Sequence, residues 1–87
     1  MLYMIIENYK EGAHSKIYKR LAEKGRMMPP QVTYIDSWVE TNFRRCFQLM
    51  EAPNRELLDQ WISNWKDLVD FEVLPVMTSK EAQQRAE

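Results

Sequence analysis

The chain has few of the residues that mark a catalytic, secreted or metal-binding protein. It carries one cysteine, one histidine and two glycines in 87 residues. A single thiol, Cys46, excludes an intrachain disulfide and a cysteine-based zinc cluster. In a strand, such a lone cysteine reads as a small buried hydrophobe. The single imidazole, His14, has no Ser or carboxylate at recognisable spacing, so a triad is not supported. No run approaches the roughly 18 apolar residues of a membrane span. Leu2 to Ile6 is apolar but too short for a signal peptide, and it lacks a basic lead-in. These absences imply a soluble, cytoplasmic protein. A net charge of −1 argues against a dedicated nucleic-acid binder. No linker, repeat, metal motif or cofactor motif stands out, and no metal or cofactor is expected.

Apolar surface is plentiful. Hydrophobic residues make up 45% of the chain, with three Trp, four Tyr and three Phe. A domain this small buries a modest fraction of its surface. Part of its apolar area is therefore expected to meet a second chain. Charge is unevenly spread: residues 1–45 hold eight Lys/Arg and five Asp/Glu, and residues 46–87 hold four and eight. The basic residues Lys16, Lys19, Arg20 and Lys24 read as the solvated face of a first helix.

Leu2 to Tyr9 reads as a strand buried on both faces. Lys10-Glu11-Gly12 is a turn, and Ala13 to Lys24 a helix with Ile17, Tyr18, Leu21 and Ala22 in its apolar stripe. His14, at its start, is expected to cap it. Gly25 suits the helix stop, and Pro29-Pro30 exclude continued helix. Val32 to Glu40 and Phe43 to Ala52 read as strands joined by a tight hairpin at Thr41-Asn42. Asn54 is the expected N-cap of a second helix, with Glu56 and Asp59 in its first turns. Leu57, Leu58, Trp61, Ile62, Trp65 and Leu68 fall at helical spacing, the strongest periodic signal in the chain. Asp70 to Met77 is a fourth strand, and Pro75 favours an edge position or a bulge there. Thr78 or Ser79, with Glu81 behind, can cap a polar tail or short helix over 79–87. The order is strand, helix, strand, strand, helix, strand, the ferredoxin-like α+β arrangement of residues 1–78. Both helices then cover one face of a four-stranded antiparallel sheet.

A two-residue turn at Thr41-Asn42 pairs Trp38 with Arg45, Asp36 with Phe47, Tyr34 with Leu49 and Val32 with Glu51. Ile35, Ser37, Val39, Cys46, Gln48 and Met50 then share the face under the helices, where Trp61 and Trp65 need small neighbours. Tyr34, Trp38, Phe47, Leu49 and Glu51 fall on the open face, with Tyr3 and Ile5 beside them. An aromatic face of this extent is too large to leave in water. A second copy is the expected cover, making a homodimeric α/β barrel.

The run Arg26-Met27-Met28-Pro29, the block Arg45-Cys46-Phe47-Gln48-Leu49-Met50-Glu51, and Trp61 through Val76 resemble the domain-of-unknown-function family 3303. The resemblance covers Leu2 to Met77. It implies a small bacterial protein of the dimeric α/β-barrel type. It implies no activity and no catalytic residues.

Three functional readings follow. The first is a small-molecule-binding homodimer with a pocket drawn from Tyr34, Trp38, Gln48, Glu51, Trp61, Trp65 and Glu72. Polar groups, Glu7 and Asp36 among them, lie between aromatics there, as in apolar ligand sites. The ligand would be a small apolar or aromatic molecule. Helical spacing also explains Trp61 and Trp65 as core, whereas Glu51 and Glu72 are carboxylates in apolar strands that need a partner or a raised pKa. The second is a monooxygenase-like or isomerase-like enzyme with a carboxylate as general base. His14 as a haem ligand belongs to this reading. The third is an RNA-binding module, because the element order matches the RNA-recognition motif. Cys46 and Gln48 occupy its permissive small-residue sites and Leu49 an aromatic one, so the signature is poorly matched.

Overall fold

In the computed structural model, which describes residues 1–86, the elements are β1 (Leu2–Tyr9), α1 (His14–Lys24), β2 (Thr33–Val39), β3 (Arg45–Glu51), α2 (Arg55–Ile62), β4 (Val69–Val76) and α3 (Ser79–Ala86). The strands form one antiparallel sheet in the order β2-β3-β1-β4. This is the ferredoxin-like α+β arrangement, with a third, C-terminal helix added. Glu87, the last residue of the expected tail, lies outside the described residues.

Local chemistry sets most boundaries. Gly25 ends α1 at φ 66°, in the left-handed region that glycine tolerates, and its N–H bonds the Leu21 carbonyl. Asn54 caps α2 by accepting from the Leu57 N–H at 3.1 Å. Thr78 Oγ1 accepts from the Glu81 N–H at 3.1 Å and starts α3. Pro75 lies on β4, an edge strand, where a missing donor is tolerated. Two expectations are corrected. α2 ends at Ile62, and tighter turns carry the chain to Leu68, with N–H bonds from Asn64 to Trp61 and from Trp65 to Ile62. The N-cap of α1 is Ala13, and no side chain caps that end. His14 is exposed, its ring 5.8 Å from that of Phe43.

The β2–β3 connection differs from the two-residue turn. Glu40 pairs across to Arg45, with its N–H on the Arg45 carbonyl, so Thr41 to Arg44 form the loop. Phe43 takes φ 60°, a left-handed conformation in a residue with a side chain. Trp38 thus pairs with Phe47 and Asp36 with Leu49, a shift of two residues that leaves the faces unchanged. Between Tyr34 and Asp36 the register slips at a bulge around Ile35. That slip turns the start of β2 over. Tyr34 now pairs with Met50 on the helix side, Val32 is buried, and Ile35 is exposed. Tyr34 and Val32 therefore leave the open face assigned to them, and Ile35 leaves the helix side.

The core lies between sheet and helices. β1 contributes Tyr3 and Ile5, which belong to this layer and not to the open face. They meet Met50 of β3, Ile17 of α1, Leu58 and Trp61 of α2, and Trp65 and Val69. Trp61 and Trp65 are 2% and 5% exposed and serve as core anchors. In urea unfolding, Leu58→Ala should lose about 2–5 kcal/mol, because Leu58 is fully buried. Asn54→Ala should lose about 1 kcal/mol through the missing cap.

Candidate functional site

The alternation of β1 brings a carboxylate into the core layer. Tyr3, Ile5, Glu7 and Tyr9 point the same way. Glu7 pairs with Cys46 of β3 on one side and Phe71 of β4 on the other. Above it the helices do not close completely. A cavity of about 100 Å³ remains, lined from the sheet by Glu7, Ser37, Cys46 and Gln48 and from above by Tyr18, Leu21, Trp61 and Trp65. Arg26, from the loop after α1, closes one side.

Burial sets the electrostatics here. It pushes the Glu7 carboxyl up to about 7; the Cys46 thiol and the Arg26 charge offset this only in part. The Cys46 thiol is raised to about 12, by burial first and by Glu7 second, so it stays protonated and unreactive. The Tyr9 phenol is also raised, chiefly by burial. Gln48, 4% exposed, donates to the Met50 sulfur at 3.2 Å, a weak acceptor. Trp65 Nε1 donates to the Arg26 carbonyl at 3.0 Å. Trp61 Nε1 is buried with no partner among the described residues. The Arg26 guanidinium stacks 3.7 Å from the centre of the Tyr34 ring, and the Tyr34 hydroxyl lies 2.6 Å from Ser37 Oγ.

The seven candidate residues do not form one site. Gln48, Trp61 and Trp65 line the cavity, and Tyr34 joins its edge through Arg26 and Ser37. Trp38, Glu51 and Glu72 sit on the opposite face of the sheet. Trp38 is 52% exposed there. Glu51 accepts from the N-terminal ammonium of Met1, and Glu72 Oε2 accepts from Asn8 Nδ2 at 3.1 Å. Both carboxylates are exposed, so neither meets the desolvation that singled it out. The carboxylate that does is Glu7. Its signal was its place at the third inward position of an alternating strand. Arg26 carried no such signal, because a loop residue's stacking partner is not written in spacing.

A second depression, about 530 Å³ and wide open, lies between the β1–α1 and β2–β3 loops, lined by Lys10, His14, Phe43 and Arg44 among others. No group of three or more His, Cys, Asp or Glu could hold a metal ion among the described residues. No helix there is long and apolar enough to cross a membrane.

The raised Glu7 has a measurable consequence. The folded state holds this proton up to about pH 7, whereas the unfolded chain releases it near 4.5. Stability should therefore fall as pH rises from about 4.5 through 7, by at most about 3 kcal/mol, and then level off. Glu7→Gln should flatten that slope and be the more stable protein at about pH 8. Thermal melts across this range test it; an unchanged slope in Glu7→Gln would assign the effect elsewhere.

Comparison with the curated proteins and with the solved structures finds no match. The family model described as Domain of unknown function (DUF3303) matches residues 1–87, and the chain belongs to that family.

Proposed function

We propose that the domain binds a small, largely apolar and planar molecule in the cavity between sheet and helices, and that it works as a homodimer joined through the open sheet face. The observation that carries the binding reading is the cavity itself. Trp61 and Trp65 line it together with the half-buried Glu7 and the polar side chains of Ser37 and Gln48. Apolar walls with a few convergent polar groups are what ligand sites offer. At about 100 Å³ it is smaller than the roughly 150 Å³ cavity that takes up benzene. A single ring therefore enters with a modest outward movement of Tyr18, which is exposed.

The dimer rests on the other face of the sheet. Met4 and Ile6 of β1 lie beside Phe47 and Leu49 of β3, with Trp38 and Leu74 flanking them. Asp36, Arg45, Glu51 and Glu72 surround this apolar centre. An apolar middle with a charged rim is the anatomy of a protein interface. Self-association is the commonest way to cover such a face. Its carboxylates disfavour a phosphate backbone, which weighs against RNA.

Glu7 favours a second reading, an isomerase-like or monooxygenase-like enzyme. A carboxyl raised to about 7 is poised to take or give a proton near neutrality.

The three Trp residues separate the two halves of the proposal. A screen of small ring compounds, read by indole N–H shifts, should move Trp61 and Trp65 and leave Trp38 in place. Shifts confined to Trp38 would overturn the cavity reading. Sedimentation should find a dimer at micromolar concentration and a monomer for Leu49→Glu. A wild-type monomer would remove the dimer.

A further inference from the structure

The chain has six arginines, and four of them pair with carboxylates: Arg20 with Asp67, Arg45 with Glu40, Arg55 with Asp59 and Arg85 with Glu81. Arg44 is exposed to solvent. Arg26 is different from all of these. It is half-buried, it lines the cavity, and it makes no ion pair among the described residues. Its guanidinium is held by stacking on Tyr34, and its backbone carbonyl is fastened by the Trp65 indole. A guanidinium fixed at a cavity wall keeps its planar fork of donors available, and that fork matches a carboxylate.

The other polar side chains of the cavity, Ser37, Cys46 and Gln48 among them, carry no charge. Glu7 stands across the cavity from the two Trp rings, surrounded by Tyr9 on its own strand, Cys46 on β3 and Phe71 on β4. Burial favours its neutral form, which is a hydrogen-bond donor and not a competing anion. The cavity thus sets one guanidinium, held by stacking and by no carboxylate, among polar side chains that carry no full charge. An uncharged apolar ligand would leave that guanidinium without a counter-ion. A ligand with a carboxylate supplies one.

Resting on the cavity reading above, we infer that the ligand is a small planar carboxylate whose carboxylate pairs with Arg26 while its ring lies against Trp61 and Trp65. The charge supplies selectivity, and the ring supplies buried area. Arg26 acts here as a binding residue, and Tyr34 as the platform that positions it.

Benzoate and its neutral isostere benzamide test this, with intrinsic Trp fluorescence and calorimetry as readouts at about pH 6, where Glu7 is protonated. Wild type should bind benzoate about tenfold or more tightly than benzamide. Arg26→Gln should lose that preference while keeping its benzamide affinity within about twofold. Retained benzamide binding also shows that the variant cavity is folded. Equal binding of the two probes by wild type overturns the carboxylate assignment and leaves the cavity reading standing. Equal loss of both in Arg26→Gln overturns it too, since Arg26 then shapes the cavity without pairing a charge. Wild type binding neither probe takes the cavity reading down with it.

Discussion

β1 is hydrogen-bonded on both sides, to β3 and to β4, so its register fixes the rest of the sheet. Its pleat also divides the molecule's chemistry. Tyr3, Ile5, Glu7 and Tyr9 face the helices; Leu2, Met4, Ile6 and Asn8 face away. A slip of one residue would exchange the two sets, placing Glu7 on the open face and Met4 under the helices. Ile5, completely buried between Gln48 and Val73, resists that slip. The position of the carboxyl is thus a by-product of packing a hydrophobe two residues away.

The helix layer answers this constraint unevenly. α2 and the turns behind it bring Leu58, Trp61, Trp65 and Leu68 down onto the sheet. α1 commits only Ile17 to full burial, with Leu21 partly covered. The imbalance follows from sequence: α1 is rich in Lys and Arg and carries a narrow apolar stripe. A narrow stripe over a wide sheet leaves space at its margin. The cavity lies at that margin, between Tyr18 and Leu21 of α1 and the two Trp rings. Arg20 joins α1 to both oxygens of Asp67, at 2.8 Å each, and its guanidinium lies 5.5 Å from the centre of the Trp65 ring.

Much of this was legible in the sequence, because period and punctuation reflect local physics. β1 was bounded to the residue by its apolar run. Gly25, Asn54 and Thr78 marked helix ends through conformational freedom and side-chain acceptors. Gln48, Trp61 and Trp65 were placed under the helices by spacing and by size. The misplaced residues at the start of β2 share one cause. The bulge at Ile35 has no glycine or proline to announce it, and it moved Tyr34 and Val32 across the sheet. Glu51 and Glu72 were singled out because they interrupt apolar strands. Both belong to the face that this single chain leaves to solvent. Whether a carboxylate is buried depends on which face the helices cover. Alternation alone leaves that choice open until the whole sheet is assembled.

Glu7 then poses a question of stability. A domain of this size holds a small margin over unfolding, and a half-buried carboxyl without an ion pair subtracts from it. Structural reasons for keeping such a group are usually a salt bridge or a satisfied network. Glu7 has the Cys46 thiol beside it but no ion pair among the described residues: the Arg26 guanidinium stacks on Tyr34. Gln at this position would keep the shape and avoid the desolvation of a charge. The carboxyl's distinguishing property in this setting is that it exchanges a proton near neutrality beside a cavity and an unpaired guanidinium. Sites that violate the rules of a stable core in this way are where a fold gives up stability for chemistry.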